Sequence, residues 1–197
     1  GRLMFSNAKS DSGVFIWCWN TVPRYSLNHE KIILDSRSDF AHLQMSHFTA
    51  LTHAFTQIIK TKKTTDSVFK NISCLVVQLH GFSNCKRSTK QGQEADVIIS
   101  AGLNKSSIHW LERIVEKIQL CVKNEFKIYL FPKDVNELGA TANAIGKIVN
   151  GCRHTSNDFK FIHIEMNDTF RRVMEADAQI REAFFRCLCD NMKIIDH

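Results

Sequence analysis

Short apolar runs alternate along this chain with longer stretches in which apolar residues recur every three or four positions. The runs at 74–79, 95–99 and 127–131 have strand length and few polar interruptions, so they read as buried strands, and 159–165 reads as a final one. Two earlier β-rich runs, Val14-Phe15-Ile16-Trp17 and Lys31-Ile32-Ile33-Leu34, flank a loop holding Pro23 and Asn28. Between Phe40 and Lys60 the spacing of Leu43, Phe48, Leu51, Phe55 and Ile58 predicts an amphipathic helix. A second helix is predicted where Ser106 or Ser107 can cap a stripe of Ile108, Leu111, Ile114 or Val115, Ile118 and Val122. A third, long helix is expected after Asn167 or Asp168, with Phe170, Val173, Ile180, Phe184 and Leu188 as its buried stripe. The stretch 133–157 carries three glycines and many polar residues and reads as a long loop with one short helix. This alternation implies one α/β domain over 1–197, with a mostly parallel central sheet and helices on both faces.

Composition narrows the class. A chain of 197 residues, 44% hydrophobic and 23% charged, buries a sizeable core and is far from the composition of a disordered segment. No apolar run reaches the roughly 18 to 20 residues of a membrane span, and no leader-like pattern opens the sequence, so a soluble protein is expected. The seven cysteines are odd in number and form no CxxC pair. Several sit in apolar runs, which points to free, mostly buried thiols in a reduced cytoplasmic or intracellular setting. The net charge of +6 comes from scattered bases, with one cluster at Lys60-Thr61-Lys62-Lys63. Without a basic stripe interleaved with aromatics, nucleic acid is not the expected partner.

In parallel sheets, sites form beyond the carboxyl ends of strands. That rule selects Asp35 and Asp39, His80, Ser100 and Glu165. His80, placed between an apolar strand and Gly81, suits a metal ligand or a general base, and the plainer alternative is a histidine capping a strand end. His163 and Glu165 are two apart and share one face of a strand. Burying both is costly unless they pair or coordinate something, and a solvated edge strand is the alternative. Asp35, Asp39 and His42 open the first helix, where carboxylates also complement the helix dipole.

The segments Val76-Val77-Gln78-Leu79-His80-Gly81-Phe82, Ala95-Asp96-Val97-Ile98-Ile99-Ser100, Leu138-Gly139-Ala140-Thr141-Ala142-Asn143 and Phe161-Ile162-His163-Ile164-Glu165-Met166, the last continuing to Phe170-Arg171, occur in an order that resembles a known family. They are similar to the N-formylglutamate amidohydrolase and phage poly-γ-glutamate hydrolase type of zinc-dependent amide hydrolases, which are related in fold to zinc carboxypeptidases. The resemblance spans about three quarters of the chain and implies a phosphorylase/hydrolase-like α/β fold with one divalent metal ion, zinc, near the strand ends. By it, His80 is a metal ligand, Glu165 activates water, Arg171 pairs with a substrate carboxylate, and Asn143 and His163 contact substrate. Relatives carry a Pro-His pair followed by an acid where this chain reads Leu34-Asp35 and then Asp39. Asp35 and Asp39 are therefore the expected remaining ligands, with His42 as a substitute.

The function implied is a metal-dependent amide or isopeptide hydrolase acting on an acidic amide or peptide. Two alternatives stand beside it: a thiol hydrolase using Cys18 with His80, and a non-catalytic binding module on the same fold.

Overall fold

The structure, a computed structural model, describes residues 3–4, 17–18, 74–102, 108–122, 125–143, 146–147 and 159–190. The expected strand at 31–34, the helix over 40–60, and Asp35, Asp39 and His42 lie outside the described residues. The chain divides into two compact units, Gly1–Phe48 and Thr49–His197. In the first, Leu3–Met4 pairs antiparallel with Trp17–Cys18.

In the second unit four strands form one sheet: β1 (Cys74–Gly81), β2 (Val97–Ser100), β3 (Ile128–Leu130) and β4 (Phe159–Met166). Their spatial order is β1-β4-β2-β3. β1 runs parallel to β4 and β2 parallel to β3, but β4 and β2 meet antiparallel. The sheet is therefore mixed: two parallel pairs joined back to back rather than one continuous parallel array.

Strand alternation divides this sheet chemically. Val77 lies beside Ile162 and Leu79 beside Ile164, and Val97 and Ile99 continue that row on β2. This apolar face packs on α2 (Ile108–Cys121), α3 (Asp168–Ala176) and α4 (Ala178–Asp190), where Leu111, Ile114, Ile118, Phe170 and Phe184 are nearly or fully buried. Among the described residues the three long helices thus share one face. The opposite face carries Ile98, which packs with Phe82, Ala95, Val135, Phe131 and Leu138 from the segments that precede β2 and follow β3. A short helix, α1 (Lys90–Glu94), capped by the Thr89 hydroxyl, lies between β1 and β2 and has no apolar stripe to announce it.

The helix expected as one piece after β4 is two. Asp177 is extended, and its Oδ1 accepts hydrogen bonds from the amides of Gln179 and Ile180 at 2.8 and 3.1 Å. That is an N-cap, so α3 ends where α4 is started afresh. The start of α3 follows expectation. Asn167 Oδ1 accepts from Phe170 N at 2.7 Å, while its amide group donates to Ala95 O and Asp96 Oδ1, tying the end of β4 to the start of β2.

The expectation of seven free thiols is corrected by a bond between Cys121, at the end of α2, and Cys187, on α4. Both sit in apolar helical stripes, and those stripes face one another, so the setting that suggested buried thiols also brings two of them together. Cys85 is free and exposed. No helix among the described residues is long and apolar enough to cross a membrane. The crosslink closes a sequence separation of 66 residues, for which loss of unfolded-state entropy gives about 4 kcal/mol. Reduction, or Cys187→Ser, should lower the urea midpoint accordingly. An unchanged midpoint together with seven titratable thiols in unreduced, denatured protein would remove the bond from the account.

Candidate metal centre

β1 and β4 lie parallel in a register that sets Gln78 beside His163 and His80 beside Glu165. On the other side of β4, antiparallel pairing sets Ser100 beside His163 and Ile98 beside Glu165. All six side-chain positions belong to the face away from the three long helices. His80 is thus a residue within the strand, which runs on to Gly81, rather than one just past its end.

The donor atoms of His80, His163 and Glu165 all lie within 4.8 Å of one another. The His80 and His163 rings are 4.8 Å apart between centroids and tilted by 38°. His163 is 4% exposed and Glu165 8%. His163 Nε2 approaches Glu165 Oε1 at 3.6 Å, and His163 Nδ1, fully buried, has no hydrogen-bond partner.

Burial, with a smaller contribution from neighbouring His80, holds His163 down from 6.5 to about 3. The 3.6 Å contact would be an ion pair only with a protonated ring, and desolvation outweighs it, so at neutral pH His163 is a neutral imidazole with a lone pair to offer. The linkage has a definite sign. An unfolded chain takes up this proton below about pH 6.5, whereas the folded one resists to about 3. Stability is therefore complete above about 6.5 and declines as pH falls toward 3, by up to roughly 5 kcal/mol. In metal-free protein, urea midpoints between pH 7 and 4 should fall more steeply than in His163→Gln. Equal slopes would show that His163 is not held neutral.

Other expected site residues take distinct places. Asn143 donates from Nδ2 to Gln78 Oε1 at 2.7 Å, which brings the 138–143 loop onto the strand next to His163. Ser100 is fully buried and donates to Gly139 O at 3.0 Å. It fixes the same loop on the far side of His163, between Leu138 and Ala140, both in left-handed backbone at φ 61° and 53°. Arg171 lies against the end of β1: a Cβ on Gly81 would stand 2.9 Å from its guanidinium carbon, so Gly81 makes the approach possible. The guanidinium is steadied by Asn167 O and Asp168 Oδ1. Asp35 and Asp39 cannot be placed relative to the cluster, since both lie outside the described residues. The backbone at Cys18 is in the short first-unit strand, and its side chain is outside the described set.

His163, expected to touch substrate, is grouped with His80 and Glu165 by the distance between donor atoms; its signal is the two-residue spacing from Glu165. Gln78 belongs to the motif around His80 but has no role of its own in the sequence reading, although a single amide inside Val76-Val77-Gln78-Leu79 is a visible interruption of an apolar run.

Two imidazoles and one carboxylate form a donor set typical of open zinc sites, in which a fourth position is left for water or substrate. Metal–ligand bonds of 2.0–2.2 Å require the three donors to draw together by about an ångström, within the reach of side-chain rotation. No family model matches the chain, and no curated protein or solved structure matches it either.

Proposed function

We propose that the chain is a divalent-metal-dependent amide or isopeptide hydrolase in which His80, His163 and Glu165 hold the ion, zinc by donor type. The observation that carries this reading is the buried, neutral His163, whose Nδ1 has no hydrogen-bond partner, set against a second imidazole and a carboxylate on one strand face. A cation would take up the lone pair that the neutral, buried His163 offers. The sequence resemblance to zinc amide hydrolases points to the same class of reaction, with His80 as a shared ligand; by it the other ligands are Asp35 and Asp39, and Glu165 activates water.

When bound, a divalent ion supplies Lewis acidity toward a carbonyl and lowers the pKa of water to about 7. The chain supplies the rest. Glu165 Oε1, 3.6 Å from His163 Nε2, belongs to the donor set, so this carboxylate would fix the ion's place on the strand rather than carry the proton. Arg171 lies against Gly81, the residue after His80, with part of its five-donor fork engaged by Asn167 and Asp168. By the resemblance it would pair with a substrate carboxylate, which is why acidic amides are the substrates tested.

The test uses zinc-loaded full chain and a panel of N-acyl-glutamate and γ-glutamyl amides. Hydrolysis that is abolished by chelation and restored by zinc supports the proposal. Glu165→Gln should lower metal affinity and turnover together, by roughly 10- to 100-fold or more. Turnover that survives chelation would reject the metal, and zinc-loaded protein inert on every amide would reject the hydrolase reading.

A further inference from the structure

The amide of Gln78 has a direction that can be read without ambiguity. The backbone amide of Gly146 can only donate, and it donates to Asn143 Oδ1 at 3.0 Å. Asn143 must therefore turn its Nδ2 outward, and that group donates to Gln78 Oε1 at 2.7 Å. With its oxygen so occupied, Gln78 presents Nε2, which makes no hydrogen bond to any described residue, as a pure donor. Gln78 is half-buried, lies beside His163 in the strand register, and shares its face with His80 two residues on. A relay of two amides thus ends in a pair of N–H groups on the strand face that carries the proposed donors.

We infer that Gln78 is a specificity-determining residue of this site, donating from Nε2 to an acceptor oxygen of whatever ligand sits on the metal, and that Asn143 is the positioning residue that fixes its polarity. The inference rests on the metal site proposed above. Ligands taken at this site carry a second oxygen beside the one directed at the ion, as a carboxylate or a tetrahedral adduct of an amide does. Anions without such an oxygen gain nothing from Gln78. Asparagine or glutamine donors aimed at developing oxyanions are a recurrent way of stabilising acyl-transfer chemistry, and here the preorganisation comes from outside the strand, through the 138–143 loop.

The experiment loads the full chain with cobalt(II) and follows the visible spectrum during titration with acetate and, separately, with azide. Acetate offers a second oxygen and azide offers none. Gln78→Met keeps the length and removes the donors. It should weaken acetate by roughly 10- to 100-fold, the effect of losing one hydrogen bond to a charged acceptor, and leave azide within about twofold. Asn143→Asp leaves Gln78 in place but cannot donate to Oε1, so the Gln78 amide turns over and presents its oxygen, and acetate alone should weaken again. This second variant carries the test if Gln78→Met does not fold. Equal loss of acetate and azide, or loss of neither, overturns the inference while the metal site stands. A wild-type chain that takes up no cobalt overturns both.

Discussion

Full chain purified without added metal or chelator should carry close to one divalent ion, and His163→Ala should lose it, with affinity falling by at least about 100-fold. The magnitude follows from the position of the residue. Changes even to groups that only support a metal ligand cost about 10- to 100-fold, and His163 is a proposed donor, buried to 4% exposure, so no water can take its place at low cost. His80→Ala should match it, because its ring, 4.8 Å from that of His163, is the second proposed imidazole donor. The two substitutions should differ in stability, however. Removing His80 takes away a half-buried ring. Removing His163 empties a packed position between Phe161 and His80. Metal content by elemental analysis and competition with a chelating dye decide the matter, and unaltered affinity in either variant would exclude that residue from the donor set.

Phe170→Ala should destabilise the chain by about 3–5 kcal/mol. Phe170 is fully buried and sits edge-on to Phe126 at 4.9 Å and to Phe184 at 5.5 Å. It joins the start of α3 to α4 and to the loop before β3, and its amide is the donor that Asn167 caps. A domain's net stability is about 5–15 kcal/mol, so this single change should leave the protein near its unfolding threshold. Phe185→Ala, half-buried beside Phe184, should cost much less. Urea denaturation of both variants checks the contrast, and a Phe170→Ala loss below about 1 kcal/mol would place this ring outside the core.

The pattern of apolar runs was enough to place β1, β2, β3, β4 and α2, because each run had the length and period of one element. Where the structure differs, the deciding interaction is either a single side chain or a pairing between distant segments. Asp177 splits the last helix by capping, and a period of 3.6 continues across such a break without showing it. The antiparallel meeting of β4 and β2 depends on which strand lies next to which. No local pattern records that, and α1 is too short and polar to have a stripe. At the site, His80, His163 and Glu165 were legible because each is a polar residue in an apolar strand. Their grouping was not, since the register that sets His80 beside Glu165 and Gln78 beside His163 joins segments more than eighty residues apart. The paired thiols escaped for the same reason: Cys121 and Cys187 are adjacent only after α2 and α4 have packed.

The position of β4 between β1 and β2 bears on the order in which the chain can assemble. β4 is the last of the four strands to be made, yet it is the one that β1 and β2 both need as a neighbour. A ribosome-bound chain ending before Phe159 holds β1 on one side and the β2–β3 pair on the other, without the strand that lies between them. Domains generally mature as units during synthesis, and this sheet must wait for nearly all of its sequence. Two of the three proposed metal donors arrive on the same late strand, so an ion cannot template the early steps. Translational pausing or truncation ahead of residue 159 should therefore yield protease-sensitive fragments, and a nascent chain should gain protection abruptly once β4 and the helices behind it have left the exit tunnel.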